Sequence, residues 1–281
     1  MMQHSNFNFS SNDGLSLFGR VWMSLAHHAK GIVNIVHGLG EHSGRYAHVA
    51  EALTEAGYHV VGFDLRGHGL SEGRRGHSPD FDHLLDDIAI FLEKSRELFN
   101  EHLPAFLYGH SLGGSLVINY SLQRSPDLAG VIATDPSLVL SFEPPKYKLM
   151  LGKVMAKLLP SFSMNNALDV NALSRDKAVV KAYQDDVYVH DRISARLAMD
   201  LIDTGQYAMD HAEEWSLPLL LMHGTADGIS SCDASQRFSE IAGGNVDLVL
   251  WEDYYHEIHN DIGKEKVIVK MISWLDEKAN S

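Results

Sequence analysis

The period of the apolar and polar positions changes repeatedly along the chain, and each change predicts an element. Phe7-Asn8-Phe9-Ser10 and residues 15–22 alternate with a period of two around the turn signal Asn12-Asp13-Gly14, which predicts a β-hairpin. Residues 31–36, 59–64, 105–108, 130–135, 217–223 and 246–251 are short, nearly continuous apolar runs of the kind that form buried strands. Residues 46–56, 81–99, 115–122, 233–242 and 262–277 read as helices between or after them. The second helix carries Leu84, Ile88, Phe91 and Leu92 at helical spacing. Strands alternating with helices predict a mostly parallel central sheet of about eight strands with helices on both faces. In such sheets ligands bind beyond the carboxyl ends of the strands, where the loops at His37, Asp64, Gly109 and Asp135 begin. The alternation stops from residue 141 to 215, which reads as helices and loops without a strand. The expected organisation is therefore a core of residues 1–140 and 216–281 with a helical cap inserted at 141–215.

Composition narrows the classes of function. Net charge is −14 with no dominant basic face, which argues against a nucleic-acid partner. Cys232 is the only cysteine, so no internal disulfide can form. The polar start, Met1-Met2-Gln3-His4, lacks the pattern of a signal peptide, and no apolar run approaches the roughly 20 residues needed to cross a bilayer. A cytoplasmic protein is expected, peripheral to a membrane if it meets one.

The chemistry centres on Gly109-His110-Ser111-Leu112-Gly113, a G-x-S-x-G pattern between an apolar run and a helix. A turn this tight excludes side chains at Gly109 and Gly113 and lifts the Ser111 hydroxyl out of the sheet. A serine hydroxyl needs a base, and the base needs a carboxylate to set its tautomer. Asp227, after the strand at 217–223, and His256, after the strand at 246–251, stand where acid and base belong. Asp135 is a rival acid and His259 a rival base, the latter expected as a loop residue hydrogen-bonded to backbone. Two backbone N–H donors are needed for the oxyanion, and Leu39 and Leu112 are the candidates. His37 is expected to orient rather than to carry protons. Asp64 to Gly69 reads as a structural turn with an internal Asp64–Arg66 interaction. No cofactor or metal is expected, since no two histidines near the site sit at helical ligand spacing beside a carboxylate.

These residues together resemble the monoacylglycerol lipase/lysophospholipase branch of the serine α/β-hydrolases. The likeness lies in His37-Gly-Leu-Gly-Glu-His-Ser-Gly-Arg-Tyr46, in Asp64 to Gly73 with Gly76-His77, and in Gly109 to Gly114. Gly224-Thr-Ala-Asp227 and Tyr255-His-Glu-Ile-His259 complete it, and the cap carries it least. The resemblance implies an α/β-hydrolase fold, a triad of Ser111, Asp227 and His256, and an oxyanion hole of the Leu39 and Leu112 amides. It also implies hydrolysis of a small amphiphilic single-acyl ester such as a monoacylglycerol. A lysophospholipase or an esterase for small aromatic monoesters is the nearest alternative; an acyltransferase or a non-catalytic binding protein lies further off. Two positions depart from the branch: Asp135 replaces a small residue, and Glu252-Asp253 stands where a glycine is common. In the cap, Leu151, Val154, Met155, Leu158 and Leu159 form an apolar face beside Lys146, Lys148, Lys153 and Lys157. It reads either as a lid that touches a lipid surface and guides an acyl chain, or as a cap helix packed on its neighbours. Asp135, Leu151, Val154, Met155 and Leu158 are the candidate substrate contacts.

Overall fold

The computed structural model describes residues 3–99, 102–142 and 144–280. In chain order its elements are β1 (Gln3–Ser10), β2 (Ser16–Met23), β3 (Gly31–Val36), α1 (Ala47–Glu55), β4 (Tyr58–Phe63), α2 (Phe81–Glu97), β5 (Ala105–His110), α3 (Leu112–Arg124) and β6 (Gly130–Thr134). Then follow α4 (Lys146–Leu158), β7 (Ser163–Asn165), α5 (Lys177–Asp185), β8 (Arg192–Ser194), α6 (Ala195–Asp210), β9 (Leu219–Gly224), α7 (Cys232–Ala242), β10 (Val246–Trp251) and α8 (Lys264–Ala279). Eight strands form one sheet in the order β1-β2-β4-β3-β5-β6-β9-β10. The predicted hairpin supplies the antiparallel edge, β1 on β2 and β2 on β4, and every later pairing is parallel.

The central strands read as continuous apolar runs because both faces are buried. Successive residues of β5 serve opposite sides: Ala105 and Leu107 pack with Ile88, Phe91 and Leu116, while Phe106 and Tyr108 pack with Leu53, Met271 and Trp274. Helices α1 and α8 therefore cover one face, and α2, α3 and α7 the other. From the segment between β6 and β9, α6 joins the second group through Leu197, Ala208 and Met209.

Two local expectations are corrected. The 141–215 segment does contain strands: β7 and β8 pair antiparallel over Ser163–Asn165 and Arg192–Ser194. Three residues each are too few for an alternation to register in the sequence. Asp64 and Arg66 do not pair with each other. The sheet sets Arg20 opposite Gly62, so that Arg20 Nη1 reaches Asp64 Oδ1 at 2.8 Å, while buried Arg66 pairs with Asp87 at 2.6 Å and with Asp13 at 3.0 Å.

Candidate active site

Strand β5 ends at His110 and α3 begins at Leu112, leaving Ser111 alone in the turn with φ +54° and ψ −116°. The left-handed φ is strained for a residue with a side chain. It persists because the turn has no room to relax: a Cβ on Gly109 would overlap the Gly113 carbonyl, and one on Gly113 the Val36 carbonyl. Ser111 is held further by its N–H on the Thr134 carbonyl at 3.0 Å.

Three side chains converge here. His256 Nε2 lies 2.9 Å from Ser111 Oγ, and His256 Nδ1 lies 2.7 Å from Asp227 Oδ2. A carboxylate accepts only, so Nδ1 carries the proton and Nε2 is left to accept from the serine. Asp227 is anchored on every side. Oδ1 accepts from the Ile229 and Ser230 N–H groups at 2.7 and 3.2 Å, and Oδ2 also meets Ser230 Oγ at 2.7 Å and His223 Nε2 at 3.1 Å. Burial opposes the charge on Asp227, yet His256 and His223 hold its carboxyl far below the usual carboxylate range. Burial likewise opposes charge on His256, and Asp227 outweighs it, raising the imidazole above its ordinary 6.5.

The rivals fall elsewhere. His259 is fully buried, stacked on Tyr46 and edge-on to His110, and neither of its ring nitrogens has a hydrogen-bond partner among the described residues. The expected bond from its ring to backbone is absent; the aromatic sandwich holds it instead. Asp135 is also fully buried, away from solvent. Its Oδ1 accepts from the Gly224 N–H at 2.8 Å, its Oδ2 has no hydrogen-bond partner among the described residues, and burial followed by the Asp227 charge pushes its carboxyl well up. Asp135, His223 and Asp227 bring ligand-type atoms within 4.8 Å of one another. His223, however, already spends both nitrogens, on Asp227 and on Ser235 Oγ at 2.8 Å. At the other departure Asp253 takes φ +62°, so the turn before His256 survives without a glycine.

The Leu39 candidate sits in a loop braced by groups whose role the sequence hid. Glu41 Oε1 accepts from the Gly38 N–H at 2.6 Å and from Tyr46 Oη at 2.7 Å, while its Oε2 takes Arg45 Nη1 at 2.5 Å. Burial works against its charge, but Arg45 pulls the Glu41 carboxyl down to about 2. Arg45 also forks onto Glu257, beside His256, and lies 4.7 Å over the Tyr183 ring of α5. Those partners lie too far along the chain for spacing to reveal. Neither Leu39 N–H nor Leu112 N–H, the first of α3, has an acceptor among the described residues outside that helix. Ser137, another residue missed, places its Oγ 3.3 Å from Ser111 Oγ.

Residues 27–263 match the Hydrolase_4 family, described as serine aminopeptidase, S33. The chain belongs to that family. It is 38% identical over 98% of its length to an uncharacterized abhydrolase domain-containing protein of Dictyostelium discoideum, of which it spans only 29%. It is 32% identical to a monoacylglycerol lipase of Mycolicibacterium smegmatis, with 96% of both chains covered. Among solved structures, the monoacylglycerol lipase of Paleococcus ferrophilus superimposes with a TM-score of 0.83 at 35% identity over 99% of both chains. The fold is the α/β-hydrolase fold expected from the sequence.

The remaining candidates lie on α4, which has no buried residue. Leu151, Val154 and Leu158 are exposed, Leu158 to 70%, and Met155 is half-buried. Leu151, Val154 and Leu158 thus stand open to solvent, while α4 itself lies against α6. Ser111, by contrast, is only 9% exposed. Cys232 opens α7, half-buried, and burial followed by Asp233 pushes its thiol up to about 11, which makes it a poor nucleophile. Among the described residues no helix is long and apolar enough to cross a membrane.

Proposed function

We propose that the protein is a serine ester hydrolase that cleaves single-acyl esters, above all monoacylglycerol to fatty acid and glycerol. The observation that carries this reading is the row Ser111 Oγ–His256 Nε2 at 2.9 Å and His256 Nδ1–Asp227 Oδ2 at 2.7 Å. Ser111 attacks the ester carbonyl as His256 takes its proton. The tetrahedral oxyanion lies between the Leu39 and Leu112 N–H groups, where each donor of this kind contributes roughly 10²–10³ in rate. His256 then protonates the leaving glycerol oxygen. Water repeats the sequence on the acyl-enzyme, and Asp227 stabilises the imidazolium both times.

Residues 141–215 act as a cap over the core of 1–140 and 216–281. The exposed apolar face of α4, flanked by Lys146, Lys148, Lys153 and Lys157, suits transient contact with an anionic lipid surface. The proposed place of action is cytoplasmic and peripheral to a membrane. The names of two relatives, both monoacylglycerol lipases, support the choice of substrate.

The test is hydrolysis of monoacylglycerols of increasing acyl length, with the matching lysophospholipids, small aryl esters and an aminoacyl anilide alongside, and Ser111→Ala as control. Turnover that favours the glycerol ester and vanishes in the variant supports the reading. Turnover of only the aryl esters or the anilide overturns the lipid substrate, and turnover that survives Ser111→Ala overturns the nucleophile.

A further inference from the structure

His37 is completely buried beside the nucleophile, yet it touches none of the three groups in the row. Both of its nitrogens are committed to backbone. Its Nε2 accepts from the Leu65 N–H at 2.9 Å, so that nitrogen carries no proton. The proton therefore sits on Nδ1, which donates to the Gly38 carbonyl at 2.7 Å. Burial lowers the His37 pKa against the pull of Glu41 and Asp64, which agrees with a neutral ring in this tautomer.

The Gly38 carbonyl and the Leu39 N–H belong to one peptide plane. In a trans peptide they point in opposite directions, and no peptide bond among the described residues is cis. A bond that fixes the carbonyl therefore fixes the aim of the Leu39 N–H. The plane is also close to the nucleophile: a Cβ built on Gly38 would lie 3.3 Å from Ser111 Cβ. Its neighbours are fixed too. The Gly38 N–H is bound by Glu41 at 2.6 Å, and the Gly40 carbonyl accepts from the His190 N–H at 2.8 Å. Among the described residues His37 alone holds the carbonyl of the plane between them.

We infer that His37 is a positioning residue of the oxyanion site: its Nδ1–H, locked in place by the Leu65 amide on the other side of the ring, sets the direction of the Leu39 N–H. The inference rests on the hydrolase reading above and goes beyond it in assigning the residue that pre-aims one donor. It never exchanges a proton with substrate. Its effect falls on charge development at the carbonyl oxygen, not on ground-state binding.

Two substitutions separate the two ring bonds. His37→Asn keeps a donor at the δ position for the Gly38 carbonyl and gives up the Leu65 bond. His37→Gln keeps an acceptor at the ε position for Leu65 and gives up the Gly38 bond. Both are assayed on a soluble short-chain ester well below their melting temperatures. Affinity for an alkylboronic acid is measured in parallel, because its tetrahedral adduct on Ser111 puts an oxygen where the oxyanion forms. The expected result for His37→Gln is a fall in kcat of about 10²-fold, the scale of one lost oxyanion donor, with KM and the pH profile unchanged and boronate affinity reduced in parallel. His37→Asn is expected to stay within a few-fold of wild type on all counts. Wild-type kcat in His37→Gln overturns the inference, and so do equal losses in both variants, which would make the ring a space-filling group. A wild-type protein that hydrolyses no ester overturns the hydrolase reading first, whereas an active wild type with an equally active His37→Gln overturns the positioning role alone.

Discussion

Arg45 meets Glu257 through two bonds, Nη1 to Oε1 at 2.7 Å and Nη2 to Oε2 at 2.8 Å, across 212 residues of sequence. The same Nη1 reaches Glu41, so one guanidinium joins the loop that carries Leu39 to the loop that carries His256. Its planar fork suits two carboxylates at once. Arg45→Met would leave both acids buried without a counter-ion. The expected cost is about 3–5 kcal/mol, seen as a lower melting temperature, with kcat reduced in the fraction that stays folded. Glu257→Gln, which keeps shape and removes one charge, is expected to cost less. An unchanged melting temperature in Arg45→Met would show that the clamp contributes nothing.

The pH dependence follows from His256, which must be neutral to accept the serine proton. Asp227 raises its pKa above 6.5, so the acid limb of kcat/KM is expected above 6.5. A raised imidazole contributes stability that is present below its unfolded value and is lost as pH rises through its folded value. Asp227, held far down, stays charged throughout this window. In Asp227→Asn the limb should move to lower pH while kcat falls by roughly 10⁴, as expected when the base loses its tautomer partner. A limb that stays in place would assign the titration to another group.

Asp135 tests the opposite sign. Its carboxyl is pushed well up by burial and by Asp227, so the folded state favours the protonated form and stability is lost as pH rises above the ordinary 3.8. Asp135→Asn keeps an acceptor for the Gly224 N–H and removes the titration. Its kcat should match wild type, and its stability relative to wild type should improve with rising pH. Loss of activity in this variant would mean that an ionised Asp135 is required.

The outer face of α4 predicts a separation of two activities. Leu151→Ser with Leu158→Ser removes exposed side chains and should weaken sedimentation with anionic vesicles by about tenfold or more, given ~1.5–3 kcal/mol per buried leucine. Turnover of a soluble short-chain ester should be unchanged. Equal vesicle binding would place the lipid contact elsewhere.

What the sequence made legible was whatever is local. The runs at 31–36 and 246–251 are the strands β3 and β10 to the residue, because bounded apolar runs mark strands directly, whether buried throughout like β3 or at the sheet's edge like β10. Gly109 and Gly113 signal their turn because only a missing Cβ fits there. The illegible parts depend on residues brought together by sheet order. Spacing pairs Arg66 with its near neighbour Asp64, whereas the β2–β4 register gives Asp64 to Arg20. Asp135 could be placed at a strand end and not beneath it, since only the packed structure decides which way a side chain faces. His223 and Ser230, which hold Asp227, look like any strand and turn residues until the chain closes around them.

Ser111 and His256 stand 145 residues apart, and the clamp from Arg45 to Glu257 spans 212. During synthesis the nucleophile, both oxyanion donors and the acid all leave the ribosome before the base does. A chain stopped at Asp227 has its elbow and its acid and no proton acceptor between them. Ester turnover in this protein would thus report synthesis through the His256 loop as well as folding. A nascent or truncated product stays silent until the residues after β10 have docked.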